Sequence, residues 1–152
     1  MTGFTDVLNG MLITVYNRIL RVEESFLQTG GGIGLNIREI HMIGYIGRAG
    51  NQGRTLSEIA DYLEIARPSV TVAVRKLEQK GYLDRNGCTQ DGRVVRVTLT
   101  RTGRKMFMLH MHFHMEMVKE LENELCEEEK NALVRVMAKL DDFFEKSIEA
   151  TT

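Results

Sequence analysis

The sequence predicts a mainly α-helical protein with one small β-hairpin, and three observations support this fold class. Apolar residues recur at three- and four-residue spacing near both ends of the chain, as on one face of a helix. Two capping-box spacings, each a polar N-cap followed three residues later by Glu, lie between those ends. Two short segments with strand character then flank a stretch of turn residues. At 152 residues, the chain has the length of one domain that can bury a core without disulfides.

The first half of the chain predicts three helices. Apolar periodicity predicts the first over 4–28, and four glycines within 29–34 end it. Asn36 with Glu39 opens a second helix that continues to about residue 48. Thr55 with Glu58 opens a short third helix through about residue 64.

A fourth helix is predicted from about residue 68 to 80, with Gly81 as its C-terminal stop. Ala66 stands where a Ser or Thr cap is expected, and Pro68 fits a first helical turn. The predicted buried stripe consists of Val70, Ala73, Val74 and Leu77. The side chains left on the outward face are those of Arg67, Ser69, Thr71, Val72, Arg75 and Lys76.

After Gly81 the apolar period changes from that of a helix to that of a strand. Segments 82–85 and 94–99 read as two strands, and 86–93 carries the Gly, Gln and Asp residues of a hairpin tip. Two more helices follow, over about 101–125 and 127–148. The element order of short helix, turn, second helix and hairpin is that of a winged helix-turn-helix flanked by N- and C-terminal helices.

The charge of the chain is unevenly distributed. The formal net charge is −1, but residues 54–105 hold 11 basic and 6 acidic side chains, a net +5, which leaves −6 for the rest. A basic middle between acidic ends is typical of a polyanion-binding part inside a scaffold that does not touch the polyanion. Solvated helices also differ in charge by this amount, so the charge alone leaves both interpretations open.

Other functional classes have little support in the sequence. Two cysteines make no disulfide framework, which favours a reducing, cytoplasmic compartment. No apolar run approaches the roughly 20 residues of a membrane span, and the N-terminus lacks a signal-peptide pattern. No nucleophile–base pair, phosphate-binding loop or carboxylate dyad is recognisable, so we expect a binding protein and no enzyme.

The predicted fourth helix suits the major groove of double-stranded DNA, where side chains meet base edges. The predicted base contacts are Ser69, Thr71, Val72, Arg75 and Lys76, and the predicted phosphate contacts are Arg54, Arg67, Lys76 and Arg96. At the hairpin tip, Arg93 is predicted to enter a minor groove, with Asp91 orienting its guanidinium.

At these residues the chain resembles the MarR family of bacterial transcriptional regulators. The similarity lies in segments 55–60, 70–71 and 77–83, in an Asp-x-Arg triplet at 91–93 and in Leu-Thr-x-x-Gly at 99–103. It implies one domain over 1–152, with a DNA-binding part at 54–105 and dimerisation helices at 4–28 and 104–148. It also implies a homodimer that binds a pseudo-palindromic operator, as a repressor. The departure from the family pattern is the missing Ser or Thr cap at 66–68.

Within that family, segments 22–24, 37–41 and 109–114 resemble the repressor of fatty-acid-synthesis genes. The resemblance implies an effector, long-chain acyl-acyl-carrier-protein or a small molecule, at the junction of the dimer helices and the DNA-binding part. Phe107 and Met111 are predicted to line that effector pocket, because five of the nine methionines lie in the same helix. A methionine stripe of this kind also suits plain core or a dimer interface.

The histidines allow a second interpretation. His110 and His114 lie one helical turn apart, a spacing that can chelate a metal, and His41 with Glu23 or Glu24 is predicted to converge on them. This set resembles the zinc site of the zinc-uptake repressors of the same family. The alternative is therefore a zinc-responsive regulator or metal-binding protein that uses His41, His110, His114 and Glu24, although no cofactor is required. Core or interface histidines with ordinary hydrogen bonds fit the same pattern.

Overall fold

The computed structural model describes residues 3–30, 32, 34–87 and 94–150. Its helices are α1 (Phe4–Thr29), α2 (Ile37–Arg48), α3 (Leu56–Leu63), α4 (Arg67–Gln79), α5 (Arg101–Glu124) and α6 (Glu127–Glu149). Its strands are β1 (Arg54–Thr55), β2 (Leu83–Gly87) and β3 (Val95–Leu99), and a short 3-10 helix covers Gly50–Gln52. The predicted fold class is confirmed: a mainly α winged helix-turn-helix with helices at both ends. Within the described residues, no helix has the length and apolar content to cross a membrane.

The wing is a three-stranded antiparallel sheet in the order β1-β3-β2. The hairpin register pairs Leu83 with Leu99 and Gly87 with Val95. The sequence did not predict β1, whose two residues pair with Val97 and Arg96 on β3. A two-residue strand has no periodicity of its own, and only the neighbouring strand makes it visible.

The helix starts follow the predicted capping chemistry. Both predicted capping boxes form: Asn36 accepts a hydrogen bond from the N–H of Glu39, and Thr55 accepts one from the N–H of Glu58. Ala66 caps α4 without a side-chain hydrogen bond, and Pro68 lies in its first turn, as expected.

The chain divides into two compact units, Met1–Phe113 and His114–Thr152, with the boundary inside α5. The first unit holds a core that joins α2, α3, α4 and the sheet, with Ile40, Ile43, Ile46, Ile59 and Leu77 fully buried. In the second unit, α6 has no buried residue, and Val136 and Phe144 are about half exposed, at 50% and 49%. The organisation of 1–152 as a single domain therefore stays a prediction.

Candidate nucleic-acid interface

Helix α4 separates a buried face from an exposed face, as its periodicity predicts. Val70, Val74 and Leu77 are fully buried against the core, whereas Ala73 is only half-buried. On the opposite face Val72 is 66% exposed, which is unusual for a branched apolar side chain unless a partner covers it. The exposed polar neighbours of Val72 on the helix are Arg67, Ser69, Arg75 and Lys76.

Thr71 departs from the prediction of an outward hydroxyl. The residue is half-buried, and its Oγ1 donates a hydrogen bond to the carbonyl oxygen of Arg67, at 3.2 Å. A threonine hydroxyl in a helix commonly bonds back to the preceding turn in this way. We therefore expect Thr71 to offer its methyl group and an acceptor lone pair to a base, in place of a free donor.

Two of the predicted phosphate contacts are held by the protein itself. The guanidinium of Arg54 lies 4.5 Å from the centroid of the Tyr45 ring, and its buried Nε has no hydrogen-bond partner. Tyr45 in turn stacks on Tyr62, with ring centroids 3.9 Å apart. Arg96 donates from Nη1 to the carbonyl oxygen of Gln52, at 3.3 Å. Both residues are half-buried, so their guanidinium groups are held in fixed positions and have little freedom to move toward a phosphate.

The predicted minor-groove pair, Asp91 and Arg93, lies outside the described residues. The strands on either side are described, and they end at Gly87 and begin again at Val95. The roles assigned to Asp91 and Arg93 therefore stay predictions.

A buried carboxylate connects α2 to α4. Lys80 Nζ lies 2.9 Å from both oxygens of Glu39, and Lys76 Nζ lies 3.5 Å from one of them. Burial by itself would raise the pKa of Glu39, but the hydrogen bonds from Lys80 and from the backbone of Asn36, with the charges of both lysines, outweigh it. The pKa of Glu39 is therefore lowered below its ordinary value of 4.5, and the carboxylate is ionised at neutral pH.

Sequence reasoning found Glu39 only as a helix cap. The positions of Glu39 and Lys80 differ by 41, and no local pattern relates them. No local pattern relates Arg54 to Tyr45 either, although the guanidinium of Arg54 contacts the Tyr45 ring.

A second cluster joins α1, α2 and α5. One oxygen of Glu23, Oε1, lies 3.1 Å from Nε2 of His41 and 3.3 Å from Nε2 of His110. Glu23 and His110 are buried, at 3% and 5% exposure. The sequence left Glu23 and Glu24 as alternatives, and Glu24 was named for the zinc set. The structure corrects this, because Glu24 is exposed and lines a different cavity.

The donor set of this cluster fits a zinc ion in its chemistry and spacing. Tetrahedral zinc with ligands at about 2.0–2.1 Å places neighbouring donor atoms about 3.3 Å apart. The two distances from Glu23 match that spacing, and all three donor atoms lie within 4.8 Å of one another. Two imidazole N–H groups donating to one carboxylate oxygen explain the same distances without a metal. His114, the fourth predicted member, belongs to the other compact unit.

The predicted effector-pocket residues lie on the first turns of α5. Phe107 packs against the core, and its ring lies so close to Gly47 that a Cβ on that glycine would overlap it. Phe107 also lines a small cavity of about 160 Å³ with Met108 and Arg104. Met111 is half-buried. Larger cavities, of about 720 and 820 Å³, lie at the two sides of the α2 N-terminus.

The fold places α4, with its exposed and cation-rich face, beside a wing. This arrangement defines a transcriptional regulator of the winged helix-turn-helix class. Comparisons with known proteins agree. A sequence model of the MarR family matches residues 33–94. The solved structure of Streptococcus pneumoniae FabT in complex with DNA is 32% identical, covers 93% of this chain and 98% of its own, and has a TM-score of 0.89. The chain belongs to the MarR family, which confirms the prediction of a regulator and no enzyme.

Two further relatives are more distant. The S. aureus MepR–DNA complex has a TM-score of 0.74 at 22% identity, covering 93% of this chain and 98% of its own, and supports the fold alone. A Bacillus subtilis protein, the uncharacterized HTH-type transcriptional regulator YwhA, is 27% identical over 86 residues. That match spans 57% of this chain and 62% of the length of YwhA.

Proposed function

We propose that this chain is a cytoplasmic repressor that binds a pseudo-palindromic DNA operator as a homodimer. The observation that carries the proposal is the exposed face of α4, where Val72 lies among Ser69, Arg75 and Lys76 above a fully buried stripe. Hydroxyls, a methyl surface and long cations are the groups that read major-groove base edges. The likeness to FabT, solved in complex with DNA, supports the same assignment.

The dimer is supported by apolar side chains that the single chain leaves in water. On α1 these include Phe4, Met11 and Tyr16, exposed by 81%, 59% and 63%. On α6 they include Met137 and Phe143, exposed by 56% and 61%. Apolar surface on this scale marks an interaction site, and a second copy of the chain would cover it symmetrically.

The regulated process is inferred from the nature of the relative. The resemblance to the repressor of fatty acid synthesis genes is supported by the 32% identity to FabT. We therefore propose that a long-chain acyl-acyl-carrier-protein, or a small molecule, modulates DNA binding at the junction of the N- and C-terminal helices with the DNA-binding part. Such an effector acts by changing the separation of the two α4 helices and hence their fit to half-sites about one DNA turn apart.

The DNA assignment is tested by selecting duplexes from a random library and measuring affinity for the recovered sequence. Arg75→Ala is expected to weaken binding about tenfold and to relax the preference at one base position in each half-site. Arg93→Ala is expected to weaken binding without changing the preference in the major groove. Arg135→Ala, on exposed α6, is the matched control and should bind as the wild type does.

If no duplex sequence is enriched, the proposal of sequence-specific DNA binding is wrong. If the Arg75→Ala variant keeps the DNA affinity and the base preference of the wild type, α4 does not read the bases. Unchanged affinity in Arg93→Ala would remove the wing assignment.

A zinc-responsive regulator is the second candidate, because one oxygen of Glu23 lies at zinc-like spacing from a donor of His41 and a donor of His110. Zinc there would join α1, α2 and α5 through three ligands and so reduce their freedom to move apart. Elemental analysis of the purified protein is expected to find one zinc per chain, lost in His41→Ala and in His110→Ala but kept in His112→Ala. His112 is an exposed residue of α5, the helix that carries His110, and serves as the control. Absence of stoichiometric zinc, with DNA binding indifferent to chelator, would remove this candidate.

A further inference from the structure

The buried carboxylate of Glu39 connects α2 to α4, the helix proposed to read DNA. Only 6% of its side chain is exposed, yet it meets Lys76 of α4 and Lys80, the C-cap of that helix. It also accepts the backbone N–H of Asn36 at the start of α2. Lys80 donates as well to the carbonyl oxygen of Gly34, in the loop before α2. The ion pair of Glu39 with Lys80 therefore connects the C-terminal end of α4 to α2 and to the loop before α2.

The two lysines are not equivalent. Lys80 is 26% exposed and approaches both carboxylate oxygens at 2.9 Å. Lys76 is 58% exposed and reaches one oxygen at 3.5 Å. Removing Lys80 would leave a buried charge without its main partner, which proteins tolerate badly. Removing Lys76 would not, because Lys80 remains.

Lys76 also belongs to the exposed face of α4 and is a predicted DNA contact. Its ammonium group thus has two competing anionic partners, the Glu39 carboxylate and the DNA backbone. Because the ammonium is a point charge on a flexible stem, it can turn from one to the other without moving the helix.

We propose that Glu39 is a positioning residue of the DNA-binding site, which fixes α4 through Lys80 and restrains Lys76 until DNA displaces it. The inference rests on the proposed DNA-binding function. The expected consequence is greater sequence specificity. A fixed α4 favours the contacts with the correct bases. A restrained Lys76 contributes less to phosphate binding, which does not depend on the sequence. Glu39 therefore lowers non-specific binding while supporting specific binding.

The test compares affinities for the selected duplex and for an unrelated duplex of equal length, over a range of salt concentrations. In Glu39→Gln, which keeps the shape and an acceptor for Asn36, specific affinity is expected to fall about tenfold. Non-specific affinity is expected to rise, and its logarithmic salt dependence to steepen by about one unit, since Lys76 is then free for a phosphate. In the Lys76→Gln background, the same change at Glu39 should leave the salt dependence unaltered.

The control is Glu78→Gln, which removes an equal charge from α4, the helix that carries Lys76. The Glu78 carboxylate pairs with Arg85 at 2.7 Å, and among the described residues it makes no ion pair with Lys76 or Lys80. An equal change of salt dependence in Glu78→Gln would show general electrostatics and overturn the proposal. A uniform loss of both affinities in Glu39→Gln, without a change of slope, would show a purely structural role and overturn it too.

A measurement without DNA separates this inference from the proposed function. The midpoint of urea unfolding of Lys80→Gln is expected to lie below that of the double variant Glu39→Gln, Lys80→Gln. Only the single variant leaves the buried carboxylate of Glu39 without its main partner. Equal midpoints would overturn the positioning role even if DNA binding is established. If the midpoints differ as expected but no duplex is ever selected, the DNA assignment fails and the link between α2 and α4 stands.

Discussion

Val136→Asp is expected to convert a dimer into single chains and to reduce operator affinity about 100-fold. Val136 lies on the apolar stripe of α6, three residues after Leu133 and eight residues before Phe144, and half of its surface is exposed in the isolated chain. A carboxylate buried there against an apolar partner surface would be unpaired, and association would lose more than it gains. Because a dimer binds two half-sites at once, its loss removes the gain from linked binding.

Analytical ultracentrifugation and operator titration provide the two measurements. The wild type should sediment at twice the 17.3 kDa chain mass, and the variant at that mass. Ala138→Asp is the matched control, since it places the same carboxylate at an exposed residue on the opposite side of α6 and should remain dimeric. A dimeric Val136→Asp variant with full affinity would show that α6 does not form the interface.

What the sequence predicted well was local. The capping boxes at Asn36 and Thr55 each depend on residues three apart, and both form as expected. The buried stripe of α4 depends on helical periodicity alone, and three of its four members are buried. The change of apolar period after Gly81 likewise predicted the hairpin, and recognition of the family added the roles assigned to the wing and to the flanking helices.

What the sequence could not predict was the pairing of distant residues. The phosphate contact of Arg54 stays a prediction, and the sequence did not predict that its guanidinium lies 4.5 Å from the centroid of the Tyr45 ring. Glu23 and Glu24 are adjacent, so they differ by about 100° around the helix axis. The apolar residues of α1 surround much of its circumference, and the sequence therefore left open which glutamate points inward.

Gly103→Ala is expected to destabilise the protein by about 3 kcal/mol, which is large for the addition of one methyl group. A Cβ at Gly103 would overlap the carbonyl oxygen of Tyr82, and it would crowd Leu99 at 3.2 Å. That carbonyl accepts the N–H of Thr100, so it cannot move away without breaking a hydrogen bond at the exit of the hairpin. This contact gives a physical reason for the glycine of the Leu-Thr-x-x-Gly stretch.

The surrounding hydrogen bonds make relaxation harder. Thr100 Oγ1 donates to the carbonyl oxygen of Gly81 and accepts the N–H of Gly103, so one hydroxyl joins the turn after α4 to the first turn of α5. Urea unfolding followed by circular dichroism measures the loss. Gly44→Ala is the control: a Cβ there meets no atom within 4 Å, and alanine should stabilise α2 by about 0.5–1 kcal/mol. Equal stability changes in the two variants would contradict the steric argument, because only the close approach at Tyr82 gives them opposite signs.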